Sequence, residues 1–443
     1  MAIELMYITM AIVWIIIGTS YLKWHPFVVL LISAFGLAFL LGLPLHQISA
    51  IIGGGFGKTL QNIGLLILYG AWIGAALEAC GGTTALAQGL LKFLTRLPLP
   101  FVVGAIGYVV AIPVFCDAAF VILAPLTKKL AGNQKALRNA LTVSLSTGLF
   151  ATHVLVPPTP GPLAAAANLE LTNLFLLFVV GGFFALLLML VGAGFAYYLY
   201  RRNPINSASV EFDSLFLDQT KPLPSLYWAL APIGVPILFM ALGAAAPFLF
   251  YEDIVPIFKF FGDPTNALLS GVFLAFLVCK KQHVDRKQVL HKGIVQAAPI
   301  LLITAMGGAL GVVLQQVDIS ASLQTLALRP SMGIAIPFLL AALLKTAQGS
   351  STVAIITASS IVFPLLSGWG LDNEMGKIWT LMAVGTGAMT ISHANDSYFW
   401  IVSQLGDLSL KEAYKTHTFA TLIQGLVGFV LMLIAFELWQ LVG

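Results

Sequence analysis

The residues of this sequence that could do chemistry are a few ionisable side chains inside long apolar stretches. Asp117, Lys345 and Asp396 each stand within such a stretch, and His153 and His393 stand at polar breaks. Ionisable groups inside apolar segments are costly and usually carry a function. Because buried carboxylates and histidines can change protonation near neutral pH, Asp117, Asp396 and the two histidines are candidate proton carriers. A purely structural ion pair, for example between Lys345 and Asp396, is the alternative.

One polar turn, residues 345–352, has the chemistry of an oxyanion site. It contains a cation, a glycine and three hydroxyls: Lys345, Gly349, Ser350, Ser351 and Thr352. If Ser350 or Ser351 caps a helix over 353–366, backbone N–H groups are left facing a cavity, which suits a carboxylate. The equivalent turn of the first half is 112–117, with a proline and Asp117. A turn without ligand contact is the alternative.

Two further breaks interrupt predicted helices. After Thr152-His153, residues 157–162 hold four prolines in six positions, so a helix cannot continue there. Residues 392–397, Ser-His-Ala-Asn-Asp-Ser, form a polar cluster in the second half. Because each break contains a histidine, we predict one substrate site built from these residues: His153, Pro157, Thr159, Gly161, His393, Asn395 and Asp396. Two simple kinks are the alternative.

Several other kinds of chemistry are not expected. Residues 53–59, Gly-Gly-Gly-Phe-Gly-Lys-Thr, resemble a phosphate loop, but Ile52 stands where the motif requires glycine. We expect a flexible turn there. No spacing of histidine, cysteine and carboxylate completes a metal site, and no cofactor is expected. Cys80, Cys116 and Cys279 are expected to be small core residues, and Glu78 is expected to be interfacial.

The elements that position these residues must be membrane helices. Of the 443 residues, 59% are apolar and only 9% are charged, whereas soluble domains carry about a quarter charged residues. At about 20 residues per crossing, the chain has material for roughly ten to thirteen crossings. The net charge of +4 is not clustered as nucleic-acid binding requires, so the expected partners are the lipid bilayer and a small carboxylate. The composition predicts an all-α polytopic membrane protein.

Hydropathy divides the chain into spans and two interrupted segments. The predicted spans are 5–22, 26–43, 60–79, 136–155, 172–200, 226–250, 264–279, 293–315, 376–392 and 416–441. Residues 98–130 and 331–366 are apolar but broken midway, and are predicted to be re-entrant hairpins. The polar stretch 201–224, with three prolines, is predicted to be a cytoplasmic linker.

The two halves of the chain match at a nearly constant offset. Leu37–Leu40 recurs as Leu274–Leu277, 237 residues later, and the histidine motif of 151–153 recurs at 391–393, 240 residues later. Three further matches lie at offsets of 237 to 239. We predict an N-terminal repeat and a C-terminal repeat. The first covers 1–200, with hairpin 98–130 and broken helix 136–170, and the second covers 225–443, with hairpin 331–366 and broken helix 376–405.

Basic residues predict the orientation. If each hairpin enters the membrane and returns to the same side, each repeat has five transmembrane helices and the two repeats are inverted. With an external N-terminus, 17 of the 22 basic residues fall in inner loops and four in outer loops. Because basic residues concentrate on the cytoplasmic side, both termini are predicted to be periplasmic. Inverted repeats with broken helices are typical of secondary transporters; a channel and a membrane-embedded enzyme are the alternatives.

These motifs resemble the gluconate permease family of bacterial inner-membrane symporters. The matching runs are Thr152-His153 with the prolines that follow, Gly349–Ala354, and Ser392-His393-x-Asn395-Asp396 with Phe399-Trp400. The resemblance covers about residues 26 to 440 and implies a fold of the ion-transporter superfamily, with a homodimer. It implies proton-coupled uptake of gluconate, or of D-serine, glycerate or another sugar acid. Asp117, Thr159 and Lys345 stand where the gluconate-type pattern has Glu, His and Arg.

The chemistry of the candidate residues gives each an expected role. Ser350, Ser351 and Thr352, helped by Lys345, are expected to hold the carboxylate of the substrate through hydroxyls and backbone amides. The residues expected to bind its hydroxyl groups are His153, Thr159, Asn395 and Asp396. Asp117 or Asp396 is expected to carry the proton, with His153 as a third candidate.

Overall fold

The computed structural model describes residues 2–94, 96–201, 223–249, 251–316 and 330–442. These residues are mostly helical and form no strand, which confirms the all-α fold class. Most of the predicted linker 201–224 lies outside the described residues. The division into two repeats stays a prediction.

The described residues of the first half form nine helices. They are α1 (Ala2–Ile16), α2 (Pro26–Leu40), α3 (Leu45–Ala79), α4 (Gly82–Phe93), α5 (Leu99–Val110), α6 (Cys116–Ala131), α7 (Lys135–Leu155), α8 (Pro160–Asn168) and α9 (Leu174–Arg201). A π-helical turn, Ile17–Tyr21, extends α1.

The described residues of the second half form ten helices. They are α10 (Leu226–Leu249), α11 (Val255–Gly262), α12 (Pro264–Lys281), α13 (Arg286–Gln315), α14 (Pro330–Gln348), α15 (Ser351–Val362), α16 (Glu374–Met389), α17 (Ser397–Leu405), α18 (Leu410–Ala413) and α19 (Phe419–Val442). A π-helical turn, Tyr414–Thr418, joins α18 to α19.

The described helices include enough long apolar segments for a multi-pass membrane protein. Six segments can cross a membrane by length and composition, and the pair α11–α12, bent by 66°, makes a seventh. These seven correspond to seven of the ten predicted spans. The other three predicted spans, 5–22, 26–43 and 376–392, contain α1, α2 and α16, which have only 15 or 16 residues each.

Local sequence explains where several helices begin. Asp263 accepts a hydrogen bond from the backbone N–H of Thr265 at 2.9 Å, and Pro264 follows it as the first residue of α12. A proline at this position loses nothing, because its missing N–H would have had no helical partner. Ser350 caps α15 by accepting from the Val353 N–H at 3.3 Å. Ser350 was one of the two predicted caps for this helix.

The glycine-rich segment 53–59 is not a turn, and that prediction is wrong. It lies inside α3, which packs along α13. A Cβ atom on Gly55 would come within 2.9 Å of the Ala309 Cα, and a Cβ on Gly308 would come within 1.9 Å of the Thr59 hydroxyl. Small residues in membrane helices let two backbones approach closely. The glycines therefore serve helix packing, a role that their loop-like composition conceals.

The helices that lead into the two polar breaks lie in the core. Every residue of α7 from Ala140 to Leu155 is buried, and so is every residue of α16 from Ile378 to Met389. Non-helical backbone inside a membrane protein must be shielded from lipid, so breaks at these positions are physically acceptable. The three cysteines are buried and free, as predicted.

Candidate functional site

Two turns, each joining two consecutive helices, and one break between helices meet at a cavity of about 260 Å³. The turn between α5 and α6, the turn between α14 and α15, and the break between α16 and α17 form its walls, together with α7 and α13. Its lining includes Phe115, Cys116, Asp117, Phe150, His153, Pro299, Ile300, Ile303, Gly349, Ser350, Ser351, Thr352, Val353, Ile356, Asp396, Ser397 and Tyr398.

Three helices begin at this cavity. The first residues of α6, α15 and α17 are Cys116, Ser351 and Ser397, and all three line its wall. The N-terminus of a helix carries free backbone N–H groups and a partial positive charge, so it stabilises an anion nearby. Three such ends around one cavity favour a negatively charged ligand.

A buried ion pair stands behind the cavity wall. The Lys345 Nζ lies 2.5 Å from Oδ2 of Asp396, and their side chains are only 1% and 6% exposed. Lys345 also donates to the Gly349 carbonyl at 3.0 Å and lies 5.8 Å from the centre of the Phe150 ring. Burial of an ammonium group requires such a set of partners. Lys345 is therefore held by Asp396 and by the turn before α15.

The Asp396 carboxylate is fully engaged. Besides Lys345, its Oδ2 accepts from the Ser392 hydroxyl at 2.5 Å, and its Oδ1 accepts from the Tyr398 N–H at 3.0 Å. The last contact caps α17. Asp396 thus joins a helix start, a cation and a hydroxyl at the edge of the cavity.

Asp117 and His153 are held much more loosely. Asp117, in the first turn of α6, accepts only a weak contact of 3.7 Å from the Cys116 thiol among the side chains of the described residues. The His153 Nε2 lies 3.5 Å from the Thr352 hydroxyl, and its buried Nδ1 has no partner in the described part of the chain. Neither side chain is therefore held by a strong hydrogen bond from the described residues.

The sequence as a whole matches one family. The model of the GntP family permeases matches residues 3–439. The chain belongs to this family. Family membership makes it a permease, so the alternative of a membrane-embedded enzyme is excluded.

Several relatives of this GntP family permease are named for the substrate they transport. The chain is similar to the D-serine transporter DsdX of Escherichia coli, with 30% identity over 94% of this chain and 95% of that protein. It is also similar to a gluconate permease of Pseudomonas aeruginosa, with 29% identity over 96% of this chain and 95% of that protein.

A solved structure has the same fold. The YdaH transporter of Alcanivorax borkumensis, whose crystal structure is described as having an unusual topology, aligns with a TM-score of 0.60. The alignment covers 94% of this chain and 98% of that one at 15% identity. The likeness is one of fold alone.

Seven of the predicted site residues line the permease cavity. They are Asp117, His153, Gly349, Ser350, Ser351, Thr352 and Asp396. Lys345 reaches them through Asp396. These eight residues come from both halves of the chain, as a single site shared by the two halves requires.

Three predicted binding residues of the first break lie outside this cavity. The Thr159 hydroxyl donates to the Val156 carbonyl and is buried, so it is used within the break. Pro157 lines a separate apolar crevice with Pro158, to which it is joined by a cis peptide bond. Gly161 faces α15, where its Cβ position lies 3.0 Å from Ile355. A threonine that binds the backbone, a proline and a glycine are residue types that suit a tight helix break packed against α15.

His393 and Asn395 hold the end of α14. The His393 Nε2 lies 3.0 Å from the Thr346 carbonyl, and the Asn395 amide donates to the carbonyls of Thr346 at 2.7 Å and Ala347 at 3.2 Å. The last carbonyls of a helix lack helical partners, so these side chains satisfy them. The two residues fix the turn that carries Gly349 rather than line the cavity.

Several residues around the cavity were not among those predicted from the sequence. Tyr398 donates from its hydroxyl to the Ser146 carbonyl at 2.9 Å, and Phe150 packs against its ring with centroids 5.3 Å apart. His417 is fully buried and contacts Ser392. His417 is the second residue of the predicted span 416–441, where a histidine is expected at the membrane surface.

Glu78, which was expected to be interfacial, forms an ion pair with Lys292 at 2.6 Å.

Proposed function

We propose that this permease is a proton-coupled symporter of a small hydroxy-carboxylate, with gluconate as its substrate. The substrate carboxylate binds at the N-terminus of α15 and competes with Asp396 for Lys345. A proton taken up by Asp396 or Asp117 accompanies each substrate anion.

The cavity with its buried Lys345 and three helix starts carries this proposal. Three ionisable side chains, Asp117, Lys345 and Asp396, have a net charge of −1 when all are charged. Adding a carboxylate alone would make the buried site more negative, which is costly in a poorly solvated cavity. Adding a proton with the carboxylate leaves the charge unchanged. Charge balance therefore favours one proton for each anion.

The named relatives support a carboxylate substrate. One is called a D-serine transporter and the other a gluconate permease, and both D-serine and gluconate carry a carboxylate and at least one hydroxyl. Gluconate is the better match to a cavity with Lys345 and helix N-termini, since its carboxylate is not offset by an ammonium group. D-Serine is the second candidate.

Alternating access requires two units that move against each other. The inverted repeats proposed at 1–200 and 225–443 are these two units. In this arrangement the chain lies in the bacterial inner membrane with both termini in the periplasm. Both units contribute lining residues, so a ligand in the cavity contacts both at once. Ligand and proton together would then permit the movement.

Uptake of labelled gluconate into proteoliposomes tests the proposal. With an acidic exterior and a neutral interior, we expect accumulation that a protonophore abolishes and that unlabelled D-serine at excess only partly inhibits. A sodium gradient without a pH gradient should give no accumulation. Failure to accumulate gluconate, D-serine or glycerate under a pH gradient, or equal accumulation under sodium alone, contradicts proton symport.

Asp117→Asn sharpens the test. If Asp117 carries the proton, the variant keeps gluconate counterflow but loses accumulation driven by pH, because the amide cannot release a proton. Asp372→Asn, at an exposed loop carboxylate before α16, is the matched control and should accumulate like the wild type. If Asp117→Asn still accumulates gluconate fully, Asp396 or His153 carries the proton instead.

A further inference from the structure

A chain of hydrogen bonds leads from the cavity edge into the protein core. Asp396 Oδ2 lies 2.5 Å from the Ser392 hydroxyl, which lies 3.1 Å from Nε2 of His417. Nδ1 of His417 lies 3.1 Å from the Ser146 hydroxyl, and this hydroxyl lies 2.9 Å from the Val143 carbonyl. His417, Ser392 and Ser146 are fully buried, so water does not compete for these contacts.

The hydrogens of this chain can be arranged in two ways on the same heavy atoms. In the first, Ser392 donates to an ionised Asp396, and Nε2 of a protonated His417 donates to Ser392. In the second, Asp396 is protonated and donates to Ser392, which in turn donates to Nε2 of a neutral His417. In both, Nδ1–H donates to Ser146, which donates to the Val143 carbonyl. A hydroxyl both donates and accepts, so Ser392 fits either arrangement.

We propose that His417 exchanges the coupling proton with Asp396 through the Ser392 hydroxyl, an inference that rests on the proton symport proposed above. The Nε2–H of His417 passes to the Ser392 oxygen as the Ser392 hydrogen passes to Oδ2 of Asp396. The imidazolium becomes a neutral imidazole with its hydrogen on Nδ1, and the carboxylate becomes a carboxylic acid. Histidine suits this task because its two ring nitrogens act separately: Nε2 can release or accept a proton while Nδ1–H stays bonded to Ser146.

The transfer changes what Lys345 can bind. In the ion-paired arrangement, the Lys345 ammonium has Asp396 as its counter-ion at 2.5 Å. Once Asp396 takes the proton, the ammonium lacks a counter-ion and is free to attract a substrate carboxylate. The proton reaches Asp396 from the side of Ser392, and the substrate reaches Lys345 from the cavity. His417 does not line that cavity. It therefore acts only through Asp396 and does not contact the substrate.

The surroundings of His417 hold its ring in place. The rings of Tyr398 and Phe399 on α17 lie 5.6 and 6.3 Å from it. From α7 it meets the Ser146 hydroxyl, and the titratable groups that face it are Tyr398, Asp396 and Lys345. In the first arrangement the charges of Asp396 and Lys345 cancel, and the protonated His417 carries one buried positive charge. After the transfer, His417 is neutral and Lys345 carries the one positive charge. The net charge of the three side chains is therefore the same before and after the transfer.

Two variants break this chain at different atoms. His417→Gln keeps a donor near Ser392 but cannot take up a proton, and Ser392→Ala removes the bridging oxygen. We expect both to retain gluconate counterflow within about threefold of the wild type while accumulation driven by pH falls at least about tenfold. A pH-sensitive dye inside the vesicles should report gluconate entry without proton entry. Ser392→Thr retains the hydroxyl and should restore much of the proton entry.

His291→Gln, at an exposed histidine of α13, is the control and should couple like the wild type. If the wild type accumulates gluconate and Ser392→Ala accumulates it equally, the relay is wrong while proton symport stands. If Ser392→Ala loses counterflow and accumulation together in a folded protein, the chain serves binding and the relay is also wrong. If His417→Gln does not fold, the Ser392→Ala and Ser392→Thr pair decides. A wild type without accumulation overturns proton symport itself.

Discussion

The two carboxylates of the cavity differ sharply in how they are held. Asp396 accepts from Lys345, Ser392 and the Tyr398 N–H, and its two oxygens are occupied. Asp117, also at a helix start, has only a 3.7 Å contact with the Cys116 thiol among the described side chains. Two aspartates at helix starts in the same cavity are therefore held differently, Asp396 rigidly and Asp117 loosely.

The difference shows how two segments, one from each half of the chain, contribute differently to one cavity. The second-half wall is fixed by an ion pair, a cap and the contacts of His393 and Asn395 with the end of α14. The first-half wall leaves a carboxylate and the His153 ring with spare hydrogen-bonding capacity. A fixed wall keeps the cation in place, and a loosely held wall can respond to a proton. The following substitutions test this contrast.

Removing the buried cation should have the largest effect on stability. Lys345→Met leaves the Asp396 carboxylate buried without its cation, and loss of one partner of a buried pair costs about 3–5 kcal/mol. We expect a large fall in the thermal unfolding midpoint in detergent and no gluconate uptake. Asp117→Asn should change the midpoint little, since it removes no ion pair.

The double variant Lys345→Met/Asp396→Asn is the matched control for that loss. It removes both charges, so most of the lost stability should return while uptake remains absent. If the single and double variants unfold at the same temperature, the ion pair does not explain the rigidity of this wall.

The turn before α15 should be the next most sensitive position. Gly349 has φ of +80°, and a Cβ atom there would lie 2.1 Å from the Asn395 carbonyl oxygen. Gly349→Ala therefore combines backbone strain of about 1–2 kcal/mol with overpacking of about 1–3 kcal/mol. Gly42 has φ of +72° and no neighbour within 4 Å of its Cβ position. Gly42→Ala should show the strain alone, and the difference between the two unfolding midpoints measures the contact with Asn395.

An exposed ion pair should show the smallest effect. Lys58 and Glu170 are 2.6 Å apart, almost the separation of Lys345 and Asp396, but their side chains are 60% and 45% exposed. Water screens such a pair, so Lys58→Met should cost less than about 1 kcal/mol of stability. A loss as large as that of Lys345→Met would mean that burial is not the reason for the contrast between the walls.

The sequence predicted much of the cavity because its residue types are unusual for their surroundings. Asp117, Asp396 and the hydroxyl cluster of Ser350, Ser351 and Thr352 stand out in apolar stretches, and all five line the cavity. The same criterion selected residues that serve the backbone instead, because a break also needs polar partners for its free carbonyls. Thr159 and Asn395 use their side chains in this way.

The sequence alone could not identify residues whose importance depends on distant neighbours. His417 lies 271 positions from Ser146, yet their side chains are in contact. The glycines of 53–59 have a loop-like composition, and only the approach of α13 explains them as packing residues.

By itself, the amino-acid sequence determined that this chain is an all-α membrane protein and which helices must break, because hydropathy and proline act locally. It also determined that a few charges must lie within apolar surroundings. Only the tertiary structure decided which of these charges pair, which break residues face the cavity and which hydroxyls connect His417 to Asp396. Those outcomes depend on distances between segments far apart in the chain, and such distances are set by how the helices pack.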